Sequence, residues 1–400
     1  MRMIKENLRP HDDTMVSVLS ACSSLEVIEV ERWVEVFLGF GGGGGDDIMD
    51  FCRDSINTVL VYLYGKWGKI ETSSEAFGRI SDCGRRIVAP WNSMISVYVQ
   101  NGFPLDALRV FQLMMAGSNQ RPNHVTMVSV LSACAQVGDL DVGSRIHEYT
   151  KTKGCKSILE SNTFLATAFI DMYSKCGSLD RAKEVFNLMV GRDVVSFNAM
   201  IMGLAINGEG KEALRLFSQM EKFGVHPNGG TLLCVLSACN NSGLVGEGCR
   251  IFLDMDSRYS IILKLEHYAC YVDLLARVGQ VEEALGVVSS MPVEPNGLVW
   301  GALLGGCLVH SKVDLARDVA KRLVEVDPVN SGGYVLLSNV FAANRQWDEI
   351  VVLRGLMREK EVRKQPVCSW ISVDGVVHEF LVGSTFHPEL KTYVTHWMDC

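Results

Sequence analysis

A few residue patterns in the chain could support catalysis, and each of them is incomplete. His387, Pro388 and Glu389 spell His-x-Glu, one half of the signature with which zinc deaminases hold a metal-activated water. The other half, Pro-Cys-x-x-Cys, does not occur, and none of the 13 cysteines has the Cys-x-x-Cys spacing of a zinc site. No Gly-x-Ser-x-Gly motif marks a nucleophile either. We therefore expect no catalytic residue, no metal site and no cofactor, and interpret His387 as a chance match.

A run of five glycines at 41–45 could suggest a phosphate-binding loop. Asp46 and Asp47 follow it in place of the Gly-Lys-Ser/Thr that such a loop requires. The run is therefore predicted to be a low-complexity insertion. Two further loop insertions are predicted at 82–86 and 159–162.

The composition describes a packed protein without a general basic field. Of its 400 residues 48% are apolar and 21% are charged, which excludes a disordered chain. The 38 Lys and Arg against 46 Asp and Glu give a net charge of −8, so an anionic partner would need a locally basic groove. Scattered cysteines, odd in number, favour a reducing compartment. No segment of the sequence reads as a membrane span, a signal peptide or a transit peptide.

Internal repeats are the main signal of the sequence. The string Val18–Cys22 returns as Val130–Cys134 and Val235–Cys239, at intervals of 112 and 105 residues. Trp91–Ile95 returns as Phe197–Ile201 after 106 residues. Glycines also recur at intervals of 31 to 39 residues: Gly68, Gly102, Gly138, Gly177, Gly208, Gly243 and Gly279. A period near 35 within a period near 105 indicates three kinds of unit in alternation.

Each unit reads as a helical hairpin. The recurring glycine lies between two helix-like segments, where a left-handed residue commonly ends a helix. An apolar stripe follows it, such as Ala107, Val110, Phe111 and Met114, which covers one face of a second helix. Since one hairpin cannot bury that face alone, neighbouring hairpins must stack. The predicted fold class is all-α: an α-α superhelical solenoid of helical-hairpin repeats.

The carboxy-terminal part departs from the glycine pattern. Two more hairpins are predicted after Asn296, with Ser311 and Arg345 where the turn glycine would fall. Beyond them, the strand-like segments 370–373 and 376–381 flank Asp374-Gly375, a strong hairpin signal. A small carboxy-terminal β-hairpin is therefore predicted.

These strings resemble the pentatricopeptide repeat family of land plants, in its subfamily with alternating standard, long and short motifs. Asp171–Ser178 is similar to a short motif, Val125–Cys134 to a long one, Asp193–Asn228 to a standard one, and Val299–Leu304 with Tyr334–Asn339 to the family's carboxy-terminal extension. The resemblance implies four regions: 1–53, a partial long repeat with the glycine-rich insertion; 54–296, repeats; 297–364, an E-type helical extension; and 365–400, an E-plus-like tail with the β-hairpin.

The resemblance further implies binding of single-stranded RNA at one base per repeat. In the family, the fifth and last residues of a motif set base choice. The corresponding pairs are Asn92 with Asn123, Thr167 with Asp193, Asn198 with Asn228, Thr58 with Ile87, and Ala269 with Asn296. The resemblance implies a pyrimidine preference for the two Asn/Asn pairs and guanine for Thr/Asp. The other two pairs, and long motifs with Val128 or Leu233 at the fifth position, are expected to discriminate poorly.

The implied function is recognition of sites for cytidine-to-uridine editing in organellar transcripts. Many family members continue into a cytidine deaminase (DYW) domain; here we expect none, and expect a deaminase to act in trans through the extension. Splicing or RNA stabilisation, in place of editing, and a protein-binding scaffold like the tetratricopeptide solenoids remain open. Acidic residues along the first helices would favour the scaffold, whereas basic ones would exclude it. The implied location is a mitochondrion or chloroplast, and we expect upstream repeats and a presequence to precede residue 1.

Overall fold

The helices of the chain alternate with short turns from residue 47 onward. A computed structural model describes residues 47–117, 121–152, 162–329, 331–360, 362, 368–373 and 376–381. Residues 1–46 of the predicted partial repeat, with the glycine run, lie outside the described residues. So do the insertion at 159–161 and everything after 381, His387 included.

Eighteen α-helices are found in the described residues. In chain order they are α1 Asp47–Lys66, α2 Ile70–Gly78, α3 Val88–Gln100, α4 Pro104–Gly117, α5 His124–Val137, α6 Leu140–Thr152, α7 Thr163–Lys175, α8 Leu179–Leu188, α9 Val194–Ile206, α10 Gly210–Met220, α11 Gly229–Ser242, α12 Val245–Ser257, α13 Leu265–Arg277, α14 Val281–Ser290, α15 Gly297–Val309, α16 Val313–Val326, α17 Ser331–Ala343 and α18 Trp347–Glu359. Short 3-10 helices cover Gly84–Arg86, inside the predicted insertion at 82–86, and Glu221–Phe223.

The turns between paired helices have the conformation that the sequence predicts. All seven recurring glycines have left-handed φ angles, between 64° and 88°. Ser311 and Arg345 also have positive φ, 55° and 58°, a conformation that costs energy in residues with a Cβ. The hairpins predicted around these two residues are therefore confirmed, although neither turn contains glycine.

The chain divides into two compact units, Met1–Cys176 and Gly177–Cys400. Within each unit, the first helix of a hairpin packs against its own second helix and against the first helix of the next hairpin. In the first unit α3 packs against α4 and α5 in this way. In the second unit α9 packs against α11, α11 against α13, and α13 against α15. The all-α solenoid of helical hairpins predicted from the sequence is confirmed.

The apolar stripes of the second helices contribute to the core of each unit, together with buried side chains of the first helices. Ala107 and Met114 are fully buried in the first unit, as are Ala213 and Met220 in the second. The cysteines of the recurring string, Cys134 and Cys239, also have no exposed surface. Burial raises the pKa of the Cys239 thiol to about 12, so it is protonated at neutral pH. Both cysteines are therefore core residues.

A two-stranded sheet follows the helices. Strand β1, Cys368–Val373, pairs antiparallel with β2, Val376–Leu381, so that Val373 faces Val376 and Cys368 faces Leu381. The β-hairpin predicted around Asp374-Gly375 is thereby confirmed. Among the helices described, none is both long and apolar enough to cross a membrane.

Candidate nucleic-acid interface

The last residue of each predicted motif lies at the start of the next first helix. Asn123, Asp193, Asn228 and Asn296 are the N-caps of α5, α9, α11 and α15. In each case a side-chain oxygen accepts a hydrogen bond from the backbone N–H three residues later, at 2.8 to 3.3 Å. Asn and Asp are among the best N-caps because this bond satisfies a helix N–H that has no partner within the helix. Helix capping alone therefore accounts for one oxygen of each side chain.

The fifth residue of six predicted motifs lies about one turn into the first helix, whereas Thr58 lies about three turns into the longer helix α1. All seven of these residues are half-buried, with part of each side chain reaching the surface: Thr58, Asn92, Val128, Thr167, Asn198, Leu233 and Ala269. The equivalence of these positions follows from the regular hairpin period. A first-helix side chain can thus be presented at the same place in every repeat.

The first Asn/Asn pair is brought together across two adjacent first helices. Asn92 on α3 donates from Nδ2 to Oδ1 of Asn123, at 3.2 Å. The hydroxyl of Thr126 on α5 lies 2.6 Å from Oδ1 of Asn92 and 3.1 Å from Oδ1 of Asn123. The backbone N–H of Asn123 donates to the same hydroxyl, at 3.2 Å. Three side chains from two repeats therefore form one network.

The second Asn/Asn pair has the same plan with fewer bonds. Asn198 on α9 donates from Nδ2 to Oδ1 of Asn228, at 3.4 Å. The Thr231 hydroxyl donates to Oδ1 of Asn228, at 3.1 Å. The Oδ1 atom of Asn198 is buried and has no hydrogen-bond partner among the described residues. The two pairs thus share the contact between amides and differ in the bridge made by threonine.

The remaining pairs are placed differently. Thr58 uses its hydroxyl within α1, donating to the carbonyl of Asp54 at 2.7 Å, and Ile87 is 39% exposed without a polar group to offer. Thr167 has a buried hydroxyl oxygen without a hydrogen-bond partner in the described part of the chain. Thr167 belongs to the first unit and Asp193 to the second, so their pairing stays a prediction. Ala269 brings only a methyl group.

Sequence reasoning missed the third residue of the motifs. Thr126, Ser196 and Thr231 are completely buried, and each hydroxyl accepts a bond from the backbone N–H of the N-cap residue at 3.0 to 3.2 Å. His267 has the equivalent place in α13, where its Nδ1 accepts from the N–H of Lys264 at 3.0 Å. The spacing Asn/Asp-x-x-Ser/Thr is a capping-box pattern and was visible in the sequence.

Beyond α1, most of the first helices described carry few charges. Helices α3, α9, α11 and α15 contain no Asp, Glu, Lys or Arg. On α7 and α13 the charges that occur one turn apart are paired, Lys175 with Asp171 at 2.8 Å and Arg277 with Asp273 at 2.7 Å. Neither the acidic groove of a scaffold nor a basic groove is present in these helices. The polar groups that these helices carry at the fifth motif position are amides and hydroxyls.

Apolar side chains lie beside these polar groups. The second residue of several first helices is well exposed, as in Val125 at 46%, Phe164 at 82%, Val195 at 55% and Leu298 at 61%. Exposed apolar side chains at a regular interval offer surfaces against which unpaired bases can pack. The described residues contain no group of three or more His, Cys, Asp or Glu that could hold a metal ion.

Comparison with known families places these features among plant proteins. Models described as "PPR repeat" match residues 89–117 and 165–194, the "PPR repeat family" model matches 192–241, and the "E motif" model matches 310–372. The Arabidopsis thaliana pentatricopeptide repeat-containing protein At1g08070, chloroplastic, is 39% identical over 96% of the chain and 50% of its own length. The Arabidopsis thaliana pentatricopeptide repeat-containing protein CRR2, chloroplastic, is 39% identical to this chain over 84% of the chain and 50% of its own length.

Solved structures show the same fold. The crystal structure of the pentatricopeptide repeat protein PPR10 in complex with an 18-nt psaJ RNA element matches with a TM-score of 0.61 and 16% identity, over 91% of this chain and 58% of that one. The structure of PPR10 from maize matches with a TM-score of 0.50 and 18% identity, over 88% and 60% of the two chains. The chain spans about half the length of the curated relatives it matches.

Proposed function

Because the chain belongs to the pentatricopeptide repeat family, with alternating standard, long and short motifs and an E motif, we propose that it binds single-stranded RNA in a sequence-specific way. The observation that carries the proposal is the pair of equivalent amide contacts, Asn92 with Asn123 and Asn198 with Asn228. In both pairs the N-cap oxygen is used by the helix, while the amide group of the N-cap residue stays exposed. An exposed amide can donate to a base edge.

The proposed order of bases follows the order of motifs. The first Asn/Asn pair selects a pyrimidine, the long motif with Val128 selects nothing, Thr167 with Asp193 selects guanine, and the second Asn/Asn pair selects a pyrimidine. Since each repeat binds one base, these four successive motifs face four consecutive nucleotides. That PPR10, a protein of the same fold, forms a complex with an RNA element supports the proposal that this chain binds RNA.

Within this function, we propose that the chain selects cytidines for conversion to uridine in organellar transcripts. The E motif at 310–372 supports the proposal that the region from 297 onward recruits a deaminase in trans. The names of two relatives, both chloroplastic, support a chloroplast location. The chain itself then supplies recognition, and the partner supplies the zinc-activated water.

Equilibrium binding tests the RNA-binding proposal. The chain should bind a short RNA with pyrimidine, any base, guanine and pyrimidine in succession more tightly than a scrambled RNA of the same composition. Thr167→Asn should reduce the preference for guanine at the third of these nucleotides and leave the preference at the first unchanged. Equal affinity for both RNAs, or an unchanged guanine preference in Thr167→Asn, would refute the proposal.

Editing is tested separately from binding. A transcript that carries the selected sequence is incubated with the chain and a deaminase domain, and uridine is scored by sequencing. Conversion that requires residues 297–381 supports recruitment through the extension. Binding without conversion, together with protection of the transcript or its splicing, would replace editing by RNA stabilisation or splicing as the function.

A further inference from the structure

The Thr126 bridge, the hydrogen-bonded set Asn92, Thr126 and Asn123, fixes which way both amides point. The backbone N–H of Thr126 donates to the Asn123 atom 3.0 Å away, so that atom must be the carbonyl oxygen. The Asn92 atom 3.2 Å from this oxygen must then be the amide nitrogen, because two oxygens would repel one another. The Oδ1 atom of Asn92 consequently faces the Thr126 hydroxyl.

The proton of the Thr126 hydroxyl completes the set. This hydroxyl already accepts from the backbone N–H of Asn123. Its single proton is donated to the nearer acceptor, Oδ1 of Asn92 at 2.6 Å. Thr126 has no exposed surface, so water cannot replace the bond. Reversing the Asn92 amide would place its oxygen 3.2 Å from Oδ1 of Asn123, and the Thr126 proton would lose its acceptor at 2.6 Å.

We propose that Thr126 is a positioning residue for base selection: its hydroxyl holds the Asn92 and Asn123 amides in one orientation and thereby sets the base preference at this repeat. The inference rests on the proposed function, RNA binding by these pairs. Both carbonyl oxygens are engaged in hydrogen bonds within the protein, which leaves N–H groups for a ligand. A site that offers donors alone suits the O2 and N3 acceptors of cytosine or the carbonyls of uracil.

The second Asn/Asn pair is an internal control. Thr231 makes the same capping bonds as Thr126, accepting from the N–H of Asn228 at 3.1 Å. Its hydroxyl does not bond Asn198, whose buried Oδ1 has no partner among the described residues. The Asn198 amide is therefore held by one bond of 3.4 Å, whereas the Asn92 amide is held by two bonds of 2.6 and 3.2 Å.

Thr126→Val tests the role of the hydroxyl, since valine keeps the shape and removes the bond. Four RNAs are used that differ only at the nucleotide facing Asn92 and Asn123, and the ratio of pyrimidine to purine affinity is measured. Loss of one hydrogen bond to a neutral acceptor should lower this ratio by roughly 3- to 10-fold. Thr126→Ser should keep the ratio. Thr231→Val, which loses the same capping bonds, should change the ratio at its own nucleotide by less than about 2-fold.

The outcomes separate the inference from the proposed function. Thr126→Val that weakens binding to all four RNAs equally, with the ratio unchanged, would overturn the inference and leave RNA binding intact. A wild-type chain that binds none of the RNAs would refute the proposed function itself. Stability is followed by circular dichroism on each variant, because Thr126 is also part of a capping box.

A measurement on the wild-type chain keeps the inference testable if Thr126→Val does not fold. In a protein labelled with ¹⁵N-asparagine, the side-chain amide of Asn92 should be more rigid, with a higher ¹⁵N order parameter, than that of Asn198. Equal order parameters for the two amides would contradict the bridge.

Discussion

Gly306 on α15 is the residue at which an added methyl group should be most damaging to the packing of the extension. A Cβ atom at this position would lie 2.3 Å from the Cβ of Ala276 and 2.8 Å from its carbonyl carbon and oxygen. Carbon atoms that touch are normally about 3.5 to 4.0 Å apart, and two of the three obstructing atoms are backbone. Gly306→Ala therefore requires α15 and α13 to separate.

The adjacent residue is a matched control. Gly305 lies in the same helix, and a Cβ atom there would meet nothing within 4 Å. Both substitutions gain about 1 kcal/mol from the higher helix propensity of alanine, so the difference between the variants isolates the steric effect. Overpacking of this kind costs about 1–3 kcal/mol. We expect Gly305→Ala to be slightly more stable than the wild type, and Gly306→Ala to be less stable than Gly305→Ala by about 1–3 kcal/mol.

Urea denaturation followed by circular dichroism measures the free energies of unfolding of the two variants. In Gly306→Ala the carboxy-terminal hairpins should unfold first, because each hairpin is stabilised by its neighbours, and the unfolding transition should become less cooperative. If Gly306→Ala were as stable as Gly305→Ala, the close approach of α13 and α15 would be refuted.

Three further predictions concern single interactions. The guanidinium of Arg192 lies 4.8 Å from the ring centre of Phe186 and donates to the carbonyls of Phe186 and Asn187 at 3.0 Å. Because lysine cannot reproduce these contacts, Arg192→Lys should lower the melting temperature nearly as much as Arg192→Met. A lysine variant as stable as the wild type would contradict this. Asn296→Ala should cost about 1 kcal/mol in urea denaturation through loss of the α15 N-cap, whereas Asn296→Asp should cost less; equal losses would exclude capping. Burial raises the pKa of Cys176 to about 11, so at pH 8 iodoacetamide should modify the exposed Cys83 well before Cys176. The rate of modification at Cys176 should rise with pH. Peptide mass spectrometry measures both rates, and modification of Cys176 before Cys83 would contradict the prediction.

The period of the sequence was sufficient to predict the fold of the described residues. Hydrophobic spacing located the helices, and the recurring glycine located the turns, because both follow from local geometry. The same period located the turns at Ser311 and Arg345, where the residue type gives no local signal. At these two residues the repeat period of the neighbouring units predicted the turn better than the residue type did.

The site could be predicted only in part. Its residues were chosen by position in the motif, and two of the chosen pairs are hydrogen-bonded. Thr126, which links the side chains of Asn92 and Asn123, was not chosen, because its bond with Asn92 joins residues 34 positions apart in the sequence. The difference between Thr126 and Thr231 is likewise invisible in the sequence, where both follow an asparagine by three residues. It depends on the spacing of side chains from two adjacent helices, and a hydrogen bond forms only within a narrow range of distance and angle.

Selection from a random pool of single-stranded RNA tests the central claim most directly. The account predicts enrichment of a pyrimidine, an unrestricted base, guanine and a pyrimidine at consecutive positions, and loss of the first preference in Asn92→Ala. A bound pool without enrichment at these positions, or the same enrichment in Asn92→Ala, would contradict it.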